Sequence, residues 1–253
     1  MEVIEQGEQL EFVDGKFVFL YTLVILRKEG DYFHARYDSR MLPPAQINPN
    51  LLEIHPIPAA HLWPLYSNDI TLAPSPLPPD TYIKRPRMIQ YTEDCTSRIP
   101  DLFLAEARTC ETLRKAPHPN IARYLGCLVK DNRITGLCFE KYDMTLEDRL
   151  KDHSRPLPRD ILKGVKSGIQ HLHNLGLAHN DINPRNIMFK AGDDTPVIID
   201  FDSCGKEGDK LLKGGTMGWT DGSIDIATAQ NDYYGLKKIE EIMTSRDASD
   251  SHI

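Results

Sequence analysis

The chain has 253 residues, room for one large domain or two small lobes, with 40% hydrophobic and 26% charged residues. Thirty Lys and Arg stand against 37 Asp and Glu, a net charge of -7. That balance argues against a nucleic-acid module, which needs a basic face, and against a polybasic membrane binder. The longest apolar run, Phe17–Leu26, has ten residues; a membrane helix needs about twenty. Five cysteines, without CxxC or zinc-type spacing, read as reduced thiols of a cytoplasmic protein.

In chain order, the β-branched and aromatic run FVFLYTLVIL predicts a buried strand. With DYFHARY after Lys28-Glu29-Gly30-Asp31 it predicts a hairpin. Eleven of the 18 prolines lie between Pro43 and Pro86, so residues 41–80 read as an irregular connector. TYIKRPRMIQY (Thr81–Tyr91) reads as a strand. Ile99–Lys115 carries the apolar spacing of an amphipathic helix, stopped by Pro117 and Pro119. Two short strand-like runs, IARYLGCLV and RITGLCFEKY, flank the turn Lys130–Arg133. A short helix at Leu146–Leu150 and a longer one at Asp160–Leu175, closed by Gly176, complete a strand-rich half followed by a helix-rich half.

The chemistry concentrates at residues 179–186, His-Asn-Asp-Ile-Asn-Pro-Arg-Asn, and at Asp200-Phe201-Asp202 after the apolar run Val197–Ile199. This combination resembles the catalytic loop and metal-binding segment of the protein-kinase-like family. Phosphoryl transfer needs a carboxylate at the acceptor hydroxyl and an oxygen-ligand Mg²⁺ site at the phosphates. The resemblance implies Asp181 at the hydroxyl and Asn186 and Asp200 as metal ligands. It extends, in order, to Lys84 as the N-lobe strand lysine and Glu106 as its helix partner, with Glu111 on the same helix as the rival. His118–Ile121 (HPNI), Phe139–Tyr142 as gatekeeper and hinge with Glu140 and Tyr142 at the nucleotide, and Asp232 as anchor of the catalytic loop follow. The wording of several of these motifs is similar to fungal kinase-like sequences. His171 and His173 read as helix histidines rather than metal ligands, and His179 as a brace for the loop.

The fold implied is α+β and two-lobed, with a β-rich N-lobe and a truncated helical C-lobe. The expected divisions are an extension over 1–80, an N-lobe over 81–142 and a C-lobe over 143–253. The implied activity is ATP- and Mg²⁺-dependent transfer to a protein Ser/Thr or small-molecule hydroxyl, with neither nucleic acid nor membrane as partner. The alternative is a pseudokinase serving as a nucleotide- or partner-binding scaffold; a missing glycine-rich loop and a truncated helical lobe favour it, and the joint retention of Lys84, Glu106, Asp181, Asn186 and Asp200 opposes it. Four departures from the family pattern stand out. No glycine occurs between Gly30 and Gly126, so a glycine-rich phosphate cover is absent from its usual place upstream of Lys84. Asn180 stands in the middle of the His-x-Asp triplet. Asn183 takes the catalytic position that holds lysine in Ser/Thr kinases, where an amide stabilises phosphate charge less than an ammonium. Asp202 replaces the glycine of D-F-G, either as an added metal ligand or as a rigid turn. Seventeen residues follow Leu236, short of the usual substrate platform.

Overall fold

A computed structural model describes residues 1–40, 47–94, 96–154, 157–158, 160–222 and 225–250. The chain opens with an antiparallel sheet of β1 (Glu2–Val13), β2 (Lys16–Lys28), β3 (Asp31–Tyr37) and β4 (His55–Ile57), in that spatial order. The two hairpins turn at Asp14-Gly15 and Glu29-Gly30, all four residues at positive φ, the backbone that matches strand twist across a two-residue turn. The hairpin read at Lys28–Asp31 is therefore present.

Burial of the Phe17–Leu26 run needs correction. Leu23 and Ile25 face one apolar cluster, Val24 and Leu26 another on the opposite face, which explains the unbroken apolar stretch there. The first half of the run extends beyond β3 as a two-stranded ribbon. Phe17 is 66% exposed and packs on Phe12, at 5.0 Å between ring centroids.

From Pro64 to Ala73 the chain follows the outer edge of the next sheet. Ile134 donates to Pro64 O and Cys127 to Thr71 O, at 2.9 and 2.8 Å. That sheet holds β5 (Thr81–Lys84), β6 (Tyr124–Lys130) and β7 (Arg133–Glu140), ordered β5-β7-β6. The expected strand over Thr81–Tyr91 is thus shorter: it stops at Lys84, before Pro86, and Met88–Gln90 form a 3₁₀ turn.

Helix α1 (Arg98–Lys115) packs on this sheet through Phe103, Ala107, Cys110 and Leu113, the spacing of one helical face. β8 (Met144–Thr145) leads into α2 (Leu146–Lys151), whose start is fixed by a reciprocal Thr145–Asp148 capping box. α3 (Ile161–Asn174) buries Ile161, Val165, Ile169 and Leu172, and ends before Gly176 at φ 73°. β9 (Leu177–Ala178), β10 (Ile187–Phe189), β11 (Val197–Ile198) and β12 (Gly205–Lys206) frame the loops that carry the site. β10 pairs with β8 and β11, and β9 with β12. α4 (Ala229–Asp250) is the last element.

One apolar cluster runs from α1, β6 and β7 to α3 and α4. The fold is α+β and two-lobed, with a β-rich N-lobe and a helical C-lobe. Cys110, Cys127, Cys138 and Cys204 are free thiols; Cys95 lies outside the described residues. Among the described residues no helix is long and apolar enough to cross a membrane.

Candidate active site

The loop between β9 and β10 is suspended from α4. Asp232, fully buried, accepts the backbone N–H groups of His179 at 2.9 Å and Asn180 at 2.7 Å. His173 of α3 adds Nε2 at 2.8 Å to the same carboxylate. His179 braces the next step: Asp181 N–H donates to its Nδ1 at 3.3 Å, and its Nε2 lies 3.0 Å from Ile199 O. His171 bonds Ala116 O at 2.7 Å. These histidines are occupied within the fold.

Asp181 is 7% exposed, and its carboxylate is held from three sides. Asn183 and Asn186 donate their side-chain amides at 3.0 and 2.9 Å, and Thr216 its backbone N–H at 2.8 Å. The Asn183 oxygen is used as well, accepting from Arg185 N–H at 3.0 Å. Thr216 reaches Asp181 because Gly215 lies against the catalytic loop, where an added Cβ would sit 2.1 Å from Asn180 O.

Asn180 and Asp200 both have positive φ, 63° and 64°. Asn and Asp visit this region more readily than other side chains, and such strain clusters at working sites. The Asn180 side chain is saturated. Its amide donates to Ala178 O and Ser203 O, and its oxygen accepts from Thr228 N–H and Asn231.

Across the cleft, Lys84 on β5 pairs with Glu106 of α1 at 2.5 Å and also with Asp200. Glu111, the rival partner, faces away and accepts from Thr71 N–H at 2.8 Å. Burial would lower Lys84, but the two carboxylates outweigh it and raise the ammonium. Burial likewise pushes Glu106 up, to about 7, and Lys84 offsets this only in part. For Asp200 the order reverses: burial would raise it, and the ammonium holds it below its ordinary value. One cation shared by two carboxylates is the reason. The more exposed Asp200 keeps its charge more easily than the enclosed Glu106.

The cleft between the lobes has a volume of about 280 Å³. Lys84, Glu106 and Asp200 line it, as do Glu140 and Tyr142, and Tyr82, Ala122, Phe139, Met188 and Ile199 form its apolar walls. Glu140 is tied to Lys190 at 2.5 Å, and Tyr142 OH accepts from Arg123 N–H at 3.2 Å. The expected cofactor residues thus share one cleft, apart from Asn186, which lies against Asp181. Asp202 pairs with Lys213 at 2.5 Å. Sequence reasoning missed Lys213, His173, Thr228 and Asn231 as supports, because nothing local links them to the loops they hold.

Oxygen donors of this kind suit Mg²⁺. Asn186 spends its NH₂ group on Asp181, which leaves its amide oxygen free of that bond. No group of three or more His, Cys, Asp and Glu that could hold a metal occurs among the described residues.

A family model described as the protein kinase domain matches residues 88–216, just over half of the chain. The chain belongs to the protein kinase family. The matched span holds Glu106, Asp181, Asn186 and Asp200 but begins after Lys84. Serine/threonine-protein kinase Tao of Drosophila melanogaster is 30% identical over 127 residues, covering 49% of this chain and 12% of that protein. Probable serine/threonine-protein kinase irlC of Dictyostelium discoideum is 43% identical over 71 residues, covering 28% and 4%. Among solved structures, the yeast RNA Pol II CTD kinase CTDK-1 complex is similar at a TM-score of 0.47 and 18% identity, over 58% of this chain and 51% of that one. The chain thus spans only a small part of these curated relatives' length.

Proposed function

We propose that this chain is a phosphotransferase that moves a phosphoryl group from Mg²⁺-bound ATP to a hydroxyl, on a protein Ser/Thr or a small molecule. The observation that carries the reading is Lys84, held between Glu106 and Asp200 in a cleft with apolar walls. Such a cation is buried at cost unless its partners and position are used.

In this reading Lys84 orients the α- and β-phosphates and Glu106 keeps the ammonium in place. Asn186 and Asp200 hold the metal, and the bound MgATP supplies the phosphoryl group with its charge partly neutralised. Asp181 aligns the acceptor hydroxyl and takes its proton. Asn183 is a positioning residue: its amide fixes the Asp181 carboxylate. The divisions that follow are an extension to residue 80, an N-lobe over 81–142 and a C-lobe from 143.

The test is a titration with ATP, with and without Mg²⁺, on wild type and Asp200→Ala, followed by transfer to protein and small-molecule hydroxyl acceptors. Mg²⁺-dependent binding that Asp200→Ala weakens is expected. Binding in neither protein would overturn the reading in favour of a scaffold.

A further inference from the structure

Lys84 and Glu106 sit on different elements, and the chain between them leaves β5 through residues 85–93. The N-terminal sheet holds this connector at Met88, Ile89, Tyr91 and Glu93. Met88 and Ile89 both donate their backbone N–H to one oxygen of Glu5 on β1, at 2.9 Å each. Gln9 donates to Ile89 O at 3.3 Å. Between these two residues lies Gly7, where an added Cβ would stand 2.1 Å from Ile89 Cδ1. On β3, the His34 ring lies 5.0 Å from that of Tyr91, and its Nε2 lies 3.2 Å from Glu93. Leu23 and Ile25 of β2 share an apolar cluster with Met88, Tyr91 and Ile99, the last in the first turn of α1. The N-cap residue of α1, Ser97, makes no side-chain capping bond, and Ile99 packs into the cluster of the N-terminal sheet.

We propose that the β1–β4 sheet is a built-in brace that sets the Lys84–Glu106 geometry, with Glu5 as its principal positioning residue. The claim rests on the phosphotransferase reading for its functional meaning. A carboxylate that satisfies two adjacent connector N–H groups fixes the path of the chain leaving Lys84. The cluster around Ile99 fixes the start of the helix that presents Glu106. Removing either lets α1 shift against β5, and the pair loosens without any change in its own residues.

The test combines hydrogen exchange and MgATP titration on the full chain. Glu5→Ala should speed exchange about tenfold at Met88, Ile89 and the first turns of α1, because two part-buried N–H groups lose their acceptor. Nucleotide affinity should fall by about tenfold, the lower end of the scale of a lost supporting contact. Glu5→Gln should restore both, since one oxygen accepts both N–H groups. Gly7→Val should loosen the same residues with the carboxylate intact. Glu11→Ala, on the exposed ribbon, should behave as wild type. In a Glu106→Gln background Glu5→Ala should cost no further affinity.

Unchanged α1 exchange in both Glu5→Ala and Gly7→Val would overturn the brace, as would an additive loss of affinity with Glu106→Gln. If Glu5→Ala unfolds the whole chain, seen as lost protection in β6 and β7, Gly7→Val decides. Failure of wild type to bind nucleotide would sink the phosphotransferase reading, while α1 exchange still decides whether the sheet is a brace.

Discussion

Asn180 gives its backbone N–H to the buried carboxylate of Asp232 at 2.7 Å, and through that bond the C-terminal helix holds the catalytic loop. The same carboxylate takes His179 N–H and His173. Asp232→Ala would leave buried donors without an acceptor, at about 1–3 kcal/mol each. A loss of about 3 kcal/mol or more in urea unfolding is expected. Asp232→Asn keeps one acceptor oxygen and should fall between. Wild-type stability in the alanine variant would show that the loop is held by other means.

Asp181 and Asp200 should separate transfer from binding. On the proposed assignment Asp181→Asn removes the proton acceptor and should lower kcat by about 10²-fold or more, with nucleotide affinity nearly unchanged. On the same assignment Asp200→Asn removes a metal ligand and should raise the Kd for MgATP. Equal turnover in wild type and both variants would refute the assigned roles.

The state of Glu106 sets a pH dependence. Its folded value, about 7, lies above the unfolded 4.5. Between these values the folded state holds the extra proton, so this group's contribution to stability declines as pH rises through that window. Asp200 acts oppositely: its value is lowered in the folded state, and its contribution is lost as pH falls into the acid range. Protonation of Glu106 removes the carboxylate charge facing Lys84, so nucleotide affinity should fall as pH drops through the region of about 7. Titrations from pH 8 to 6 should show the fall in wild type and a flat, weak profile in Glu106→Gln. Matching profiles would place the titrating group elsewhere.

Phosphorylation near Thr216 should not switch the protein on. Where kinases are gated that way, an arginine beside the catalytic Asp pairs with the phosphate. Here Asn180 fills that position with both side-chain groups already bonded, so it offers no charged fork. Thr216→Glu and Thr216→Ala should both stay within about twofold of wild type in nucleotide affinity, the scale of an unpaired surface charge. A large gain with Glu, absent with Ala, would show gating.

The site was legible where chemistry demands fixed spacing within one stretch, as in Asp181 to Asn186, and where helical periodicity is clean, as in α1. Lys84 and Glu106 were legible only together, because either alone reads as an ordinary surface or helix charge. β1 was not. Its register shifts between Val3 and Glu5 and between Gln9 and Leu10 break the two-residue alternation, and its glutamates resemble a solvated segment. The use of Glu5 was hidden for the same reason, since its partners are backbone N–H groups more than 80 residues away. Asp202 left two readings open because its partner, Lys213, lies in a loop without a pattern.

The β1–β2–β3 meander also bears on the order in which structure forms. Its turns join neighbouring strands, and its widest pairing is Glu2 opposite Arg27. The ladder that carries Lys84 instead sets Thr81 opposite Glu140, across the whole of α1 and β6. Closing the longer loop costs more chain entropy before any contact repays it. The meander is therefore the cheaper nucleus, and its Leu23–Ile25 face is a surface ready before Met88 and Ile99 arrive. On this route the lysine strand and its helix come together on a template already in shape.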